Sequence, residues 1–338
     1  MKKIIACLCF FSALGCNNMM ESFNNFKAIL NIGANSTAEL TQKLQINKTN
    51  FAKAYPSLSY QSISDIFIVP VDRSLLPENT PKSILQTFFI DNSKKSIFYS
   101  LDGKTITEYT DPVNMQNPVA IAVTAKGDII IADKSAKQVI KYVYDGQRIK
   151  FNNIILTNIG ATDIAIDKGN NLYVIDDIDS KLIKIDINGN PINFTDLSSN
   201  IIMSYIDSTN TQKNLIGLRA VTVDEDGNIY SIGNYGRLLV KYKSGGSTDT
   251  VLYLSAILSP VDIAISKNNV ILVSQVKNQL ILLNKDDLSF IGVINPVEYS
   301  YPWGKMQDMR RIMAYPSKGA IVVLDKEGGA LFLESSIQ

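Results

Sequence analysis

The sequence contains no histidine, and its three cysteines (Cys7, Cys9 and Cys16) all lie within the first sixteen residues. Without an imidazole there is no Ser–His–Asp triad, no His-ligated zinc, copper or haem, and no histidine general base. Thiols confined to the extreme N-terminus exclude a disulfide framework in the body of the chain. Charge excess is missing as well: 33 Lys+Arg stand against 32 Asp+Glu in 338 residues. A chain so near neutrality gives no electrostatic reason to expect nucleic acid as a partner. Long apolar runs are also absent, and no segment reaches the eighteen or so apolar residues that a membrane-spanning helix needs.

What is present at the start is an address. Lys2 and Lys3 form a short positive segment, and Ile4–Leu14 is an apolar run of eleven residues, the length of a signal-peptide core. It ends in Ala13-Leu14-Gly15-Cys16, followed by Asn17-Asn18. This resembles a bacterial lipobox, with Ala13 where the commoner pattern has Leu. The resemblance implies cleavage before Cys16 and acylation of that residue, hence a chain anchored to a membrane without spanning it. An ordinary secretory signal with a cysteine nearby is the alternative. Residues 17–56 read as a tether, with a short helix from Ser36 or Thr37 to about Gln45, Glu39 helping to cap it.

The body, residues 57–338, is repetitive. One pattern recurs: an apolar alternation, a turn, a second alternation ending in a polar residue, another turn, then a third alternation. The clearest copy is Asn117–Val123, Ile129–Asp133 and Gln138–Tyr142. Others follow at Ile164, Val221 and Ile263, with degenerate copies around Phe89 and Met313. Units of about 45 residues that offer three or four short strands cannot bury their own apolar faces and must stack, as the blades of a β-propeller do. The stretches 117–142, 160–185, 218–242 and 259–283 also resemble NHL repeats, with Gly233 and Gln275 replacing the Asp after the second strand, and Asn170 and Asn269 replacing the turn Gly. Six copies predict an all-β, six-bladed propeller. The last copy offers three strands, so Ser62–Val71 is expected to supply its outer strand and close the ring.

Two connections between copies are long, roughly 195–217 and 294–311. The second holds Tyr299, Tyr301 and Trp303 (the only tryptophan), then Arg310 and Arg311. That is a composition favoured at interaction hot spots, carried on a loop of a rigid scaffold; the alternative is that the loop plugs the channel or packs on neighbouring blades. Asp163 and Asp262 sit at equivalent positions before their units' inner strands. They could face the channel and hold a divalent cation, or cap their own loops. Asp133, Asp176 and Asp325 follow second strands and read as local hydrogen-bonding residues. The leading expectation is a lipid-anchored module of the bacterial envelope, on the outer membrane or cell surface, binding a protein or carbohydrate through its loop-bearing face with no cofactor. The alternative is a histidine-free, metal-dependent propeller hydrolase or lactonase. Asn, Ile and Lys richness suggests an AT-rich genome such as a spirochaete's.

Overall fold

The computed structural model describes residues 62–70, 85–101, 105–124, 126–254, 258–295, 306–315, 320–325 and 328–333. The signal segment, the tether and its expected helix, and Tyr299, Tyr301 and Trp303 lie outside these residues. The described residues hold no α-helix. Strands β1 (Ile63–Pro70), β2 (Leu85–Asp91), β3 (Ser96–Ser100) and β4 (Thr107–Thr110) form the first sheet. Strands β5 (Pro118–Val123), β6 (Ile129–Asp133), β7 (Gln138–Tyr144) and β8 (Ile149–Thr157) form the second. The third comprises β9 (Ala161–Ile166), β10 (Leu172–Asp176), β11 (Lys181–Ile185) and β12 (Ile201–Ile202). A separate hairpin, β13 (Ser204–Ile206) with β14 (Gln212–Asn214), occupies the long connection expected near 195–217. The fourth sheet is β15 (Ala220–Val223), β16 (Ile229–Gly233), β17 (Leu238–Tyr242) and β18 (Thr248–Tyr253). The fifth is β19 (Pro260–Ile265), β20 (Asn269–Ser274), β21 (Gln279–Asn284) and β22 (Phe290–Ile294). The last described sheet is β23 (Met309–Tyr315), β24 (Ala320–Asp325) and β25 (Gly329–Leu333).

The architecture is an all-β propeller in which each sheet is an antiparallel meander. The four clearest sequence copies coincide with β5–β7, β9–β11, β15–β17 and β19–β21. Two expectations need correction. Complete four-stranded blades number five, not six, because the β23–β25 sheet has three described strands. And β1 is not an outer strand of that last sheet. It pairs antiparallel with β2, Ile66 opposite Phe89 and Ile68 opposite Thr87, as the innermost strand of the first sheet. Phe88–Ile90 therefore belongs to a second strand, and the first repeat begins one strand earlier than its apolar pattern suggests.

The reason lies in how the sheets pack. Successive side chains of a strand point to opposite faces, and here both faces are covered, so strands read as unbroken apolar runs. Ile129 and Ile131 of β6 join Phe88, Ile90 and Tyr99 in the core between the first two sheets. Ile130 and Ala132, from the same strand, pack instead with Ile164, Leu172 and Val174 of the third sheet. Equivalent clusters follow around the molecule. The circuit closes where Ile66, Phe89 and Phe98 meet Val322 and Leu324. That closure requires β1 at the centre, where it packs against both β5 and β23.

Candidate functional site: the channel and the loop-bearing face

The first strands β1, β5, β9, β15, β19 and β23 surround a channel. Near the start of each except β15, one extra residue is inserted opposite the second strand: Ser64, Val119, Thr162, Val261 and Arg310. Such bulges re-aim the side chain that follows. The residues following these insertions are Asp65, Ala120, Asp163, Asp262 and Arg311, and Ala220 is the corresponding residue of β15. Acidic residues thus alternate with alanines around the channel, and the series ends in an arginine.

The structure brings Asp163, Asp262 and Arg311, three residues singled out in the sequence, into one cluster with Asp65. The Arg311 guanidinium lies 3.8 Å from Asp65, 3.6 Å from Asp163 and 3.7 Å from Asp262. Its Nε donates to the Ser64 carbonyl at 3.2 Å and its Nη2 to the Val119 carbonyl at 2.8 Å. One side chain of the last sheet thereby holds the first and second. Each aspartate in turn accepts a backbone N–H from the neighbouring sheet's first strand: Ile121 to Asp65, Val221 to Asp163 and Ile312 to Asp262, at 2.9, 2.7 and 2.7 Å.

The electrostatics follow from burial and charge count. Burial raises the Asp65 carboxyl above its ordinary range, opposed by Arg311. Burial raises Asp163 well above that range, against Arg311 and with help from Asp262 and Asp65. Burial pushes Asp262 up to about 7, again against Arg311 and with Asp65 adding to the rise. For Arg311, burial opposes the charge, but the three carboxylates outweigh it and raise its affinity for the proton. One cation cannot neutralise three anions in a poorly solvated place, so the carboxyls retain protons that exposed aspartates would lose.

A cavity of about 410 Å³ runs from this cluster along the first strands to the turns between first and second strands. Its far rim is polar: Lys168 pairs with Glu225 at 3.3 Å, and Lys285 with Asp226 at 3.8 Å. Among the described residues, no group of three or more Cys, Asp or Glu side chains is arranged to hold a metal ion. The aspartates after second strands act locally, as their position suggests. Asp133 accepts the N–H groups of Gln116, Asn117 and Ala136, while Asp176 accepts those of Gly160 and Ile178. Each ties a turn to the connection beside it.

The two ends of the molecule differ. One face carries the turns between second and third strands, together with the connections that lead to the next sheet. Five apolar side chains of its turns and connections are well exposed, Val113 (85%), Val276 (67%), Tyr235 (63%), Ile178 (57%) and Ile216 (48%), and Met203 (54%) lies in the same connection as Ile216. Local geometry presents them. Asp176 anchors the turn bearing Ile178, and Tyr235 lies over Gly217, whose φ of +52° and closeness to the ring leave no room for a Cβ. The opposite face has mostly polar turns built on aspartates, as in Asp224, which accepts the N–H groups of Asp226 and Asn228, although Leu197 is exposed there. Of the sequence-selected residues, Arg310 lies in β23 and pairs with Asp308 at 2.8 Å. Tyr299, Tyr301 and Trp303 belong to the connection joining Asn295 to Met306, outside the described residues. Neither Asp65 nor the exposed apolar tips stand out in the sequence alone. The repeated Asp-Ile pair (65–66, 163–164, 262–263) is the signal that reveals Asp65.

No protein-family profile matches the sequence, and no characterised protein is significantly similar to it. Solved structures are similar in fold. A catalytically inactive histidine-to-alanine variant of virginiamycin B lyase from Staphylococcus aureus, with Quinupristin, superposes with a TM-score of 0.54 at 13% identity, covering 86% of this chain and 99% of that one. A streptogramin B lyase gives 0.51 at 14% identity, covering 80% and 79%. What they share is the propeller. A nidogen/laminin complex gives 0.49 at 12% identity, over 72% of this chain and 92% of that one. At such identities the likeness concerns architecture alone.

Proposed function

We propose that this protein is a binding module of the bacterial envelope, anchored through acylated Cys16, which engages its partner through the loop-bearing face. The observation that carries this reading is the sidedness of the propeller: five exposed apolar side chains project from separate turns and connections at one end, while the turns of the opposite end are mostly polar, with Leu197 an exposed exception. Apolar groups held out on turns and connections of a rigid scaffold are well placed to meet a partner. Chemistry of the lyase type is disfavoured, because a histidine-to-alanine change inactivates the similar lyase and this chain contains no histidine. The proposed location is the outer membrane or cell surface. Tyr299, Tyr301 and Trp303 are proposed as further partner contacts on sequence grounds. Radical footprinting of the protein in its native envelope tests the reading. The five apolar side chains should lose reactivity relative to the same protein extracted in detergent.

A divalent cation at Asp163 and Asp262, serving a hydrolase, is the competing proposal. There each Oδ2 already accepts a backbone N–H and each Oδ1 faces Arg311, so a cation would have to displace the guanidinium. Binding to the folded state raises the melting temperature. The expected result is no rise with calcium or zinc; a rise abolished by Asp163→Ala with Asp262→Ala would favour the metal.

A further inference from the structure

We infer that the partner of the loop-bearing face is the surface of an anionic lipid bilayer, on which the propeller rests with that face down. The inference deepens the proposed function and rests on its reading of Cys16 as the anchor. Three separate observations lead to it.

The first is the distribution of the apolar groups. Val113, Ile178, Ile216, Tyr235 and Val276 come from turns or connections of different sheets, and all lie at one end of the strands. Several apolar tips at one end suit shallow insertion into a headgroup layer, where binding grows with buried apolar area and with attraction to anionic lipid.

The second is charge. The five turns 92–95, 134–137, 177–180, 234–237 and 275–278 contain six Lys/Arg and two Asp. Lys134 is spent on Asp177, while Asp179 is held by Lys181. Lys137, Arg237 and Lys277 have no acidic partner among the described residues. On the opposite face the balance reverses: its described turns hold ten Asp/Glu against six Lys/Arg, with the acidic excess concentrated in 224–228 and 285–289. Asp91, Asp133 and Asp176, which precede three of the basic face's turns, are buried on the N–H groups of those turns, so the solvent-exposed charge is basic at the end that carries the apolar tips and acidic at the other. An anionic surface favours this orientation, and the acidic face turns away from it.

The third is where the chain joins the fold. Ser62 precedes β1 and accepts the backbone N–H of Asn92 at 3.0 Å, so it lies beside the turn 92–95 on the loop-bearing face. Everything from Cys16 to residue 61 thus attaches at this end of the propeller. An anchor there raises the effective concentration of the face at the bilayer, so individually weak tips suffice. In this arrangement the rim of the 410 Å³ cavity opens away from the membrane.

The test uses the acylated protein reconstituted in vesicles of phosphatidylcholine with about a third phosphatidylglycerol. An environment-sensitive NBD label is placed on Val276→Cys or Tyr235→Cys, and on Lys243→Cys of the opposite face as the reference. Flotation with the vesicles reports the anchor. The expected result is a blue shift, a several-fold rise in emission and quenching by nitroxide-labelled lipid at positions 276 and 235, with none at 243. Replacing phosphatidylglycerol by phosphatidylcholine should weaken the response. Floating protein with water-like emission at all three positions would overturn the inference while leaving the anchor intact. The same emission, together with envelope footprints on this face, would assign the face to a protein partner instead. Failure of the parent protein to float would overturn the anchor and the inference together.

Discussion

Arg311→Met is expected to destabilise the protein by about 3–5 kcal/mol, the range for leaving buried charges without their partner. The substituted chain keeps an apolar side chain of similar length but loses the bonds to the Ser64 and Val119 carbonyls and leaves Asp65, Asp163 and Asp262 facing one another. Denaturant unfolding measures the loss directly. Arg311→Lys should be intermediate, since the ammonium keeps the charge but cannot reproduce the two directed bonds. The loss should also depend on pH. The folded-state carboxyls titrate above their ordinary value, Asp262 near 7, so the native state binds protons that the unfolded chain has released. Their contribution to stability is fully present below the ordinary carboxylate range and is lost as pH rises through each raised value, which for Asp262 is about 7. Each such proton is worth about 1.4 kcal/mol per pH unit in that window. The parent should therefore melt higher at pH 5 than at pH 8, and Arg311→Met should recover part of its deficit at the lower pH. Equal stability of parent and Arg311→Met at pH 8 would show that the guanidinium contributes nothing to ring closure.

The second large effect concerns β1. Ile66 is 3% exposed in the core shared by the first and last sheets, against Phe89, Phe98, Val322 and Leu324. Ile66→Asp would bury an unpaired carboxylate where the ring closes. It also removes about 1.5–3 kcal/mol of apolar burial. A total loss above about 4 kcal/mol is expected, enough to unfold much of a domain of ordinary stability. An outer-strand role for residues 62–70 would predict far less, because outer strands pack on one side only. The exposed pattern of β4 (Thr107–Thr110) illustrates this. Circular dichroism and thermal unfolding of the one variant decide between the two placements.

Much of the fold was legible because buried blades impose a strong pattern. Ile129–Asp133 and Leu172–Asp176 are continuous apolar strands ending in an aspartate, and both lie where their repeats place them. The first unit begins one strand earlier than its apolar pattern indicates. Residues 71–84 separate β1 from β2 far more widely than the three to five residues between other first and second strands, so β1 looked like an isolated segment. The aspartate cluster was half legible. Asp163 and Asp262 share a sequence context, but Arg311 sits beside an aromatic-rich stretch and reads as part of it. Only the register of the first strands unites residues 65, 163, 262 and 311. The exposed tips gave no signal, since a lone Val276 or Ile178 in a polar turn is unremarkable until the topology gathers such turns at one end. Turn chemistry was obscured for a related reason: Lys95, Lys137, Ser180 and Asn278 adopt positive φ at the ends of their turns, where the sequence offers no glycine.

Footprinting the two faces within one sample of native envelopes tests the sidedness of the propeller. Val113, Ile178, Ile216, Tyr235 and Val276 should be strongly protected, with Lys243, Lys267 and Asp286 of the opposite face as reactive as in the detergent-extracted protein. Protection of the opposite face, or none on either, would contradict that sidedness.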